Sequence, residues 1–261
     1  MKRIDILPET MTAISNDYNN GMRGKRLSDK YGYSSGKIYK SLREIGVKVR
    51  DASRRLYDID ESMFECIDCE WKAYLLGLLY ADGCVQRLNI TLRLHEKDKP
   101  IMEVLSAKVK CNLHYTQPKT YTYKTYNRNM SGQYYFNINS KKIVSDVIKL
   151  GCGYRKSLTL TFPSYDIIPE KFFHHFIRGY FDGDGCIQPH TFHIISSDAF
   201  CIGFQRWLMT ELGISSYLKK HQKVSRVMVH RKEDRNKIRD YLYSDATIYL
   251  TRKRDKFSQA E

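Results

Sequence analysis

The sequence has no apolar run long enough to cross a membrane, and its first residues, MKRID, are too polar for a secretion signal. We therefore expect no membrane partner and a cytoplasmic protein. A disordered polymer is also excluded, because 42% of the 261 residues are hydrophobic and can form a packed core.

The sequence also lacks the regular cysteine spacing of a zinc finger or a disulfide framework. Its seven cysteines include one Cys-x-x-Cys pair, Cys66 and Cys69, and no second pair of Cys or His follows at zinc-finger spacing. Zinc at this pair is the weaker alternative. We interpret the two cysteines as packing residues at the start of the next helix, with reduced thiols.

Positive charge and tyrosine are abundant. Lys and Arg number 44 against 29 Asp and Glu, which gives a net charge of +15, and there are 20 tyrosines. A basic surface interleaved with aromatic rings is typical of nucleic-acid binding. An anionic membrane surface is the competing partner, but no basic amphipathic helix dominates the sequence.

Two stretches of the chain resemble each other. Residues 73–84 read AYLLGLLYADGC and residues 175–186 read HFIRGYFDGDGC, and each predicts a helix that ends in Asp-Gly. Small residues recur four apart on one face of each helix. They are Ala73, Gly77 and Ala81 in the first and Gly179 and Gly183 in the second. Because small residues allow close backbone approach, we expect the two helices to pack directly on each other.

Asp82 and Asp184 end these helices, so close packing would bring the two acids side by side. Two neighbouring carboxylates repel, and a helix C-terminus already carries partial negative charge. Packing of a hydrophobic core gives no reason for such a pair. A bound divalent cation would relieve the repulsion and supply catalytic power.

The nonapeptides LLGLLYADG (residues 75–83) and IRGYFDGDG (residues 177–185) resemble the motif of the LAGLIDADG homing endonuclease family. Two copies in one basic chain are a much stronger signal than one. Tyr80 replaces the acid usual at the sixth motif place, and Arg178 replaces a small residue at the second. Neither departure removes a catalytic acid.

The resemblance implies an α+β fold of two αββαββα repeats, related by a pseudo-twofold axis and carrying saddle-shaped antiparallel sheets. The predicted boundaries are 57–165 for the first repeat and 166–261 for the second. Residues 1–56 resemble a resolvase-type helix-turn-helix domain followed by a basic linker. A small helical cap with a solvated basic face is the alternative. The candidate DNA contacts of the helix-turn-helix domain and its linker are Lys37, Tyr39, Lys40, Arg43, Arg54 and Arg55.

Alternating strands supply the other predicted DNA contacts. Residues 87–94 alternate apolar with polar or basic side chains, and a loop at 127–132 is expected to join strands 113–125 and 133–139. Few acids lie on these polar faces, which favours the major groove of DNA over plain solvent exposure. The candidates are Arg87, Asn89, Arg93, Lys119, Lys219, His221, Lys223 and Arg226.

The resemblance further implies a Mg²⁺ site, with Mn²⁺ able to substitute, held by Asp82 and Asp184. The backbone carbonyls that could add ligands are those of Gly83, Gly185, Ala81 and Gly183. One lysine per repeat is implied near the scissile phosphate, and a gapless superposition of the repeat ends pairs Lys156 with Lys256. Lys253 is the rival for the second position, and simple phosphate contact is the alternative role for each lysine.

Other polar side chains were weighed for the same site. A residue that positions water is implied in each repeat, and the candidates are Arg93 in the first and His193 or Ser196 in the second. His174 and His175 are adjacent, so we expect them to point to different sides of their helix and not to share a metal. His175 is expected to pack at the helix interface.

The resemblance, together with the basic composition, implies a monomeric, site-specific double-strand DNA endonuclease, intron-encoded or free-standing. We expect it in the cytoplasm, either associated with the nucleoid or encoded by a phage of a bacterial host. It would hydrolyse phosphodiesters of a long, nearly asymmetric target and leave short 3′ overhangs. Two alternatives use the same scaffold: an intron maturase that binds RNA, and a transcription regulator that binds DNA without cleaving it.

Overall fold

The computed structural model describes residues 6–22, 24–49, 59–122, 125 and 127–259. The chain divides into two compact units, residues 1–54 and 55–261. The predicted contacts Arg54 and Arg55 lie outside the described residues. None of the described helices combines the length and the apolar character needed to cross a membrane.

The first unit consists of helices α1 (Pro8–Asn19), α2 (Gly24–Tyr31) and α3 (Ser35–Glu44). The hydroxyl of Ser34 caps α3 by accepting from the Lys37 amide at 3.3 Å, which satisfies one of the free amides of the first turn. The apolar stripes of the three helices meet in a core of their own. Its buried side chains are Met11, Ile14, Tyr18, Leu27, Ile38 and Leu42.

The second unit begins with the first repeat. Its elements are α4 (Glu70–Asp82), β1 (Cys84–Val85), β2 (Ile90–His95), α5 (Lys99–Val109), β3 (His114–Thr116), β4 (Lys119–Thr122), β5 (Asn127–Met130), β6 (Gln133–Ile138) and α6 (Lys141–Lys149). A 3₁₀ turn follows at Lys156–Leu158. The antiparallel sheet has the strand order β1-β2-β6-β3.

Strands β4 and β5 form a separate two-stranded hairpin. The predicted loop at 127–132 is therefore wrong over residues 127–130, and the predicted strand 113–125 is two strands. Pro118 lies in the break between β3 and β4. Because proline has no amide hydrogen for a sheet ladder, it favours an interruption at this point.

The second repeat repeats this order. Its elements are α7 (Glu170–Asp184), β7 (Cys186–Gln188), β8 (Thr191–Ser196), α8 (Asp198–Leu212), β9 (Tyr217–His221), β10 (Val224–Val229), α9 (Lys232–Tyr243) and α10 (Thr251–Gln259). The sheet order β7-β8-β10-β9 matches that of the first repeat. The predicted α+β fold of two αββαββα repeats is confirmed, with the β4–β5 hairpin and α10 as additions.

Helices α4 and α7 pack backbone to backbone at the centre of the unit. A Cβ added to Gly77 would overlap the carbonyl oxygen of Phe176, and one added to Gly179 would overlap that of Tyr74. Each small residue thus lies against the main chain of the other helix, as their spacing predicts. Because no layer of side chains lies between the two helices, this contact fixes the positions of their C-terminal ends relative to each other.

Candidate functional site

The two acids converge at the ends of the packed helices. Gly83 and Gly185 cap α4 and α7, and their amides donate to Leu79 O at 3.1 Å and Phe181 O at 2.8 Å. A Cβ on Gly183 would come within 2.9 Å of Asp82 Oδ2. The Asp82 carboxylate therefore lies directly beside the residue that precedes Asp184.

The protonation of both acids reflects this crowding. Each residue has an exposed surface, yet the protein atoms packed around the helix ends displace part of the carboxylate hydration. That burial raises the pKa of Asp82, and it raises the pKa of Asp184 to about 6, with the nearby charge of Asp82 adding to the effect. Two close, accessible carboxylates that resist ionising together are suited to a hard divalent cation with oxygen ligands.

One lysine lies against each helix end. Lys156 Nζ donates to Gly83 O at 2.7 Å and to Ala81 O at 3.3 Å. Lys253 Nζ donates to Gly185 O and, at 3.5 Å, to Phe181 O. Both ammonium groups therefore contact the carbonyl of the glycine that follows the acid of their own repeat.

The pairing of Lys256 with Lys156 is wrong, because Lys253 occupies the equivalent position. The first repeat reaches its lysine through a 3₁₀ turn, whereas α10 carries the second, so a gapless superposition misaligns them. Three residues further along α10, Lys256 is exposed, whereas Lys253 is 7% exposed. Burial lowers the pKa of Lys253, with the charge of Arg252 as the next cause.

The lysine contacts also decide which of the predicted backbone carbonyls are free to bind a metal ion. Gly83 O and Gly185 O each accept from an ammonium group, which would repel a cation at the same oxygen. The prediction that Gly83 and Gly185 hold metal is therefore not supported. Ala81 O has only the longer lysine contact, and Gly183 directly precedes Asp184; these two carbonyls stay predicted ligands.

Asp182, at the sixth place of the second motif, anchors the segment that leads into α10. It is fully buried and accepts from Tyr74 Oη at 2.7 Å, Tyr243 Oη at 2.7 Å and the Leu250 amide at 2.8 Å. Burial raises its pKa to about 6, which these hydrogen bonds partly oppose. Sequence reasoning overlooked this residue, although an acid within a buried helix face was a usable signal.

Arg178 has a related role, which accounts for its departure from the family motif. Its buried guanidinium donates to Ile248 O at 2.9 Å, to Leu242 O at 2.8 Å and to Glu70 Oε1 at 2.5 Å. Glu70 also accepts from the amides of Thr247 and Ile248. The pair thereby connects both motif helices to the segment between α9 and α10.

The other anchor of α10 is an ion pair between the repeats. Arg252 donates Nε to Asp98 Oδ1 at 2.7 Å and Nη2 to Asp98 Oδ2 at 2.8 Å, and Asp98 is 4% exposed. Such a bidentate pair fixes orientation as well as distance. Lys253 directly follows Arg252, and Leu250, three residues before it, donates to Asp182. These two contacts fix the backbone that carries Lys253.

A sequence profile of the LAGLIDADG-like domain matches residues 174–255. These residues form a LAGLIDADG-like domain. The resemblance stated from the motifs is confirmed for this part of the chain, which includes the second motif and the start of α10. A comparison with curated protein sequences gave no match.

The chain is also similar to several solved structures. The homing endonuclease I-WcaI bound to its DNA recognition sequence is 8% identical over 74% of this chain and 87% of its own, with a TM-score of 0.51. I-DmoI in complex with DNA and Ca is 17% identical over 69% and 92%, with a TM-score of 0.44. Full-length DUF199/WhiA from Thermatoga maritima is 12% identical over 77% of this chain and 63% of its own, with a TM-score of 0.47.

Both four-stranded sheets have one buried and one open face. In the first sheet Ile90, Leu92 and Leu94 are buried, and Arg93 lies on the open face opposite Tyr135. Its guanidinium lies 4.4 Å from the centre of the Tyr135 ring and donates to Thr116 Oγ1 at 3.2 Å. The predicted alternation is therefore confirmed within β2, with a stacked arginine on the open side.

The predicted start of this strand is wrong. Strand β2 begins at Ile90, because the Gln86 amide donates to Asn89 O at 2.8 Å and closes a turn. Arg87 and Leu88 are exposed in that turn, and Asn89 is half-buried. Arg87 instead lines an open groove of about 730 Å³ next to the first acid's helix end, together with Gly83, Arg155 and Lys156.

The second sheet places its predicted contacts around β9 and β10. Lys219 and His221 are exposed on β9, and Lys223 is exposed in the turn that follows. Arg226 is half-buried opposite Lys219, and its Nε is buried without a hydrogen-bond partner. The strands of both sheets, and of the β4–β5 hairpin with exposed Lys119, contain no Asp or Glu.

Two of the remaining predictions need correction. Ser196 faces the core and is 8% exposed, so it does not reach the open face where water could be positioned. His193 and Arg93 lie on the open faces and stay candidates. In the first unit, Tyr39 Oη accepts from the Gly24 amide at 2.6 Å and its ring packs against Tyr18, so Tyr39 does not face outward.

The other predicted contacts of α3 are accessible to differing degrees. Lys40 and Arg43 are exposed, whereas Lys37 is half-buried with its Nζ 4.8 Å from the centre of the Tyr33 ring. These three residues stay predicted contacts with DNA.

Proposed function

We propose that this chain is a site-specific double-strand DNA endonuclease that uses a divalent metal ion. The observation that carries the proposal is the convergence of Asp82 and Asp184, each accompanied by a lysine at an equivalent position of its repeat. A binding protein has no need for two crowded acids facing a polyanion, because they weaken its binding.

The acids would hold the cation, Mg²⁺ or Mn²⁺, through their carboxylate oxygens. When bound there, the cation would polarise the phosphate and activate water. Lys156 and Lys253 lie beside the acids, where an ammonium group offsets the negative charge that develops on the phosphate during hydrolysis. The anchoring of Lys253 through Arg252 and the buried Asp182 supports a fixed position for that charge.

Acid-free strands support DNA as the substrate. With no carboxylate on either sheet, the open faces attract phosphates, and Arg93 and Lys219 are placed to meet them or the base edges. Binding is therefore expected to weaken steeply as salt rises. In line with the pseudo-twofold repeats, we propose a monomer that binds a long, nearly asymmetric site and cuts both strands with short 3′ overhangs.

The test is to digest a large random or host-genome DNA library with the full chain in Mg²⁺, Mn²⁺ or EDTA, and to sequence the ends. Recurrent metal-dependent breaks with matched 3′ overhangs are expected. Asp82→Asn should abolish them while retaining specific binding. Specific capture of DNA without breaks in either metal would refute the nuclease and favour the regulator. Capture of RNA alone would favour the maturase.

A further inference from the structure

Two histidines and an aspartate form a cluster at the N-terminal part of α7. One potential ligand atom from each of His174, His175 and Asp245 lies within 4.8 Å of the others. Asp245 follows α9, at the start of the segment that leads to α10. Because Asp184 lies nine positions after His175 along α7, the cluster lies about 14 Å from the second acid.

The two histidine side chains converge, contrary to the expectation that adjacent helix residues point apart. Their ring centres are 3.8 Å apart, and His174 Nε2 lies 3.0 Å from Asp245 Oδ2. Aromatic neighbours confine both rings: Tyr241 packs edge-on against His174, and Phe172 stacks near His175. The rings are therefore held near each other by packing.

His175 has a buried nitrogen without a partner. The residue is 6% exposed, and its Nδ1 makes no hydrogen bond. The nearest carboxylate oxygen, Glu70 Oε1, is 4.0 Å away and already accepts from Arg178 and from two backbone amides. A buried polar atom without a partner costs free energy. A hydrogen-bond partner or a bond to a metal ion at the Nδ1 atom of His175 would offset this cost.

We propose that His174, His175 and Asp245 bind a zinc ion. Two imidazole nitrogens and one carboxylate oxygen form a donor set that binds Zn²⁺ in preference to the hard cations Mg²⁺ and Ca²⁺, which prefer oxygen ligands. Asp245 has a side chain that is 58% exposed, which leaves the outer side open for water as a fourth ligand. Small side-chain rotations would bring the three ligand atoms to coordination distance.

Zinc at this cluster would have a structural role. It would join α7 to the start of residues 245–250, the segment that Arg178 and Asp182 anchor further along and that ends at α10. The proposal does not depend on nuclease activity, because the cluster is separate from Asp82 and Asp184.

The experiment measures Zn²⁺ binding and thermal unfolding of the full chain in an Asp82→Asn/Asp184→Asn/Cys66→Ser/Cys69→Ser background. This background removes the proposed acidic site and the Cys-x-x-Cys pair. Zn²⁺ should raise Tm in this background and Mg²⁺ should not. Added Asp245→Asn, a change at an exposed side chain, should lower Zn²⁺ affinity at least about 10-fold with little change in the metal-free Tm. His174→Asn should do the same.

Co²⁺ absorption provides a second measurement. In the same background, one Co²⁺ per chain should give a spectrum of nitrogen and oxygen ligation that His174→Asn abolishes. Unchanged Zn²⁺ affinity in both variants, the absence of Zn²⁺ binding, or a Co²⁺ spectrum that persists unchanged in His174→Asn would each overturn the proposal.

Discussion

Lys156 and Lys253 occupy equivalent positions in the two repeats, each with its ammonium group on the carbonyl of the glycine that follows the repeat's acid. This equivalence holds although one lysine lies in a 3₁₀ turn and the other in α10. On the proposed function, these two residues and not Lys256 place positive charge at the scissile phosphates.

Substitution of Lys253 by Met should therefore lower the cleavage rate by about 10²–10³, the usual loss on removing one fixed charge-stabilising donor. Lys256→Met serves as the matched control on the same helix and should cost less than about threefold, because its side chain is exposed. Single-turnover cleavage at saturating enzyme measures both. Equal losses in the two variants would restore Lys256 as the candidate.

Loss of Arg178 should strongly destabilise the second unit. Arg178→Met leaves Glu70 without its guanidinium partner and should lower the free energy of unfolding by about 3–5 kcal/mol. The double variant Glu70→Gln/Arg178→Met should lose less than this, since no unpaired carboxylate remains. Urea unfolding gives the values.

The control for this experiment is the exposed pair Lys99 and Glu103 on α5, 3.3 Å apart. Lys99→Met should change stability by less than about 1 kcal/mol. A cost for Arg178→Met no larger than that of the surface pair would contradict the role given to the buried pair.

Gly179→Ala should separate α4 from α7. The added methyl group would overlap the Tyr74 carbonyl oxygen, so the backbones must shift, at a cost of about 3 kcal/mol or more. Gly153→Ala is the control, because an added Cβ there meets no atom within 4 Å; it should change stability by less than about 1 kcal/mol. Thermal and urea unfolding compare the two. A Gly179→Ala protein as stable as wild type would show that the close packing is wrong.

The pH dependence of stability should reveal the crowded acid. The pKa of Asp184 is raised to about 6 in the folded chain, above an unfolded value of about 3.9. Its protonated form therefore favours folding below pH 4, and this contribution is lost as pH rises through 6. In EDTA, Asp184→Asn should have the higher Tm at pH 8 and lose that advantage near pH 4.

The same measurement in Mg²⁺ provides the control for this prediction. A bound cation favours the ionised carboxylates, so Mg²⁺ should raise the wild-type Tm at pH 8 and leave that of Asp184→Asn nearly unchanged. A lower Tm for Asp184→Asn in EDTA at pH 8 would show that burial and the charge of Asp82 do not raise the pKa of Asp184.

DNA affinity should depend on the open face of the first sheet. Arg93→Ala should weaken binding about 10-fold or more, whether its guanidinium reads a base or a phosphate. Lys108→Ala is the matched control, because Lys108 is exposed on α5, which packs on the other face of that sheet. Fluorescence anisotropy across a salt series distinguishes the two roles, since loss of a phosphate contact also lowers the salt slope by about 1. Equal affinities of the two variants would rule out contact through this face.

Regular spacing of residue types along the chain was enough to predict the motif helices and the buried faces of the strands. The paired helices and their terminal acids could be predicted because Gly77 and Gly179 lie at repeating intervals that only close packing explains. The buried faces of β2 and β6 followed from their period of two. The error at residues 127–130 arose because Asn127 and Asn129 look like turn residues, whereas pairing with β4 makes them a strand.

Features that depend on tertiary structure could not be predicted in this way. Spacing alone aligned Lys256 with Lys156, because nothing in the sequence shows that the second repeat enters a helix where the first has a 3₁₀ turn. Likewise, Asp245 is 71 residues from His174, and only the placement of α9 on α7 brings them together. The convergence of the His174 and His175 rings is set by the aromatic residues around them.

The direct contact between α4 and α7 has a consequence for the geometry of cutting. Because Gly77 and Gly179 meet main chain and not side chain, the separation of the helix ends is independent of side-chain rotamers. On the proposed function, the stagger between the two broken bonds is then a constant of the backbone. Substitutions on the sheets can change which DNA is chosen, but the length of the overhang should stay the same.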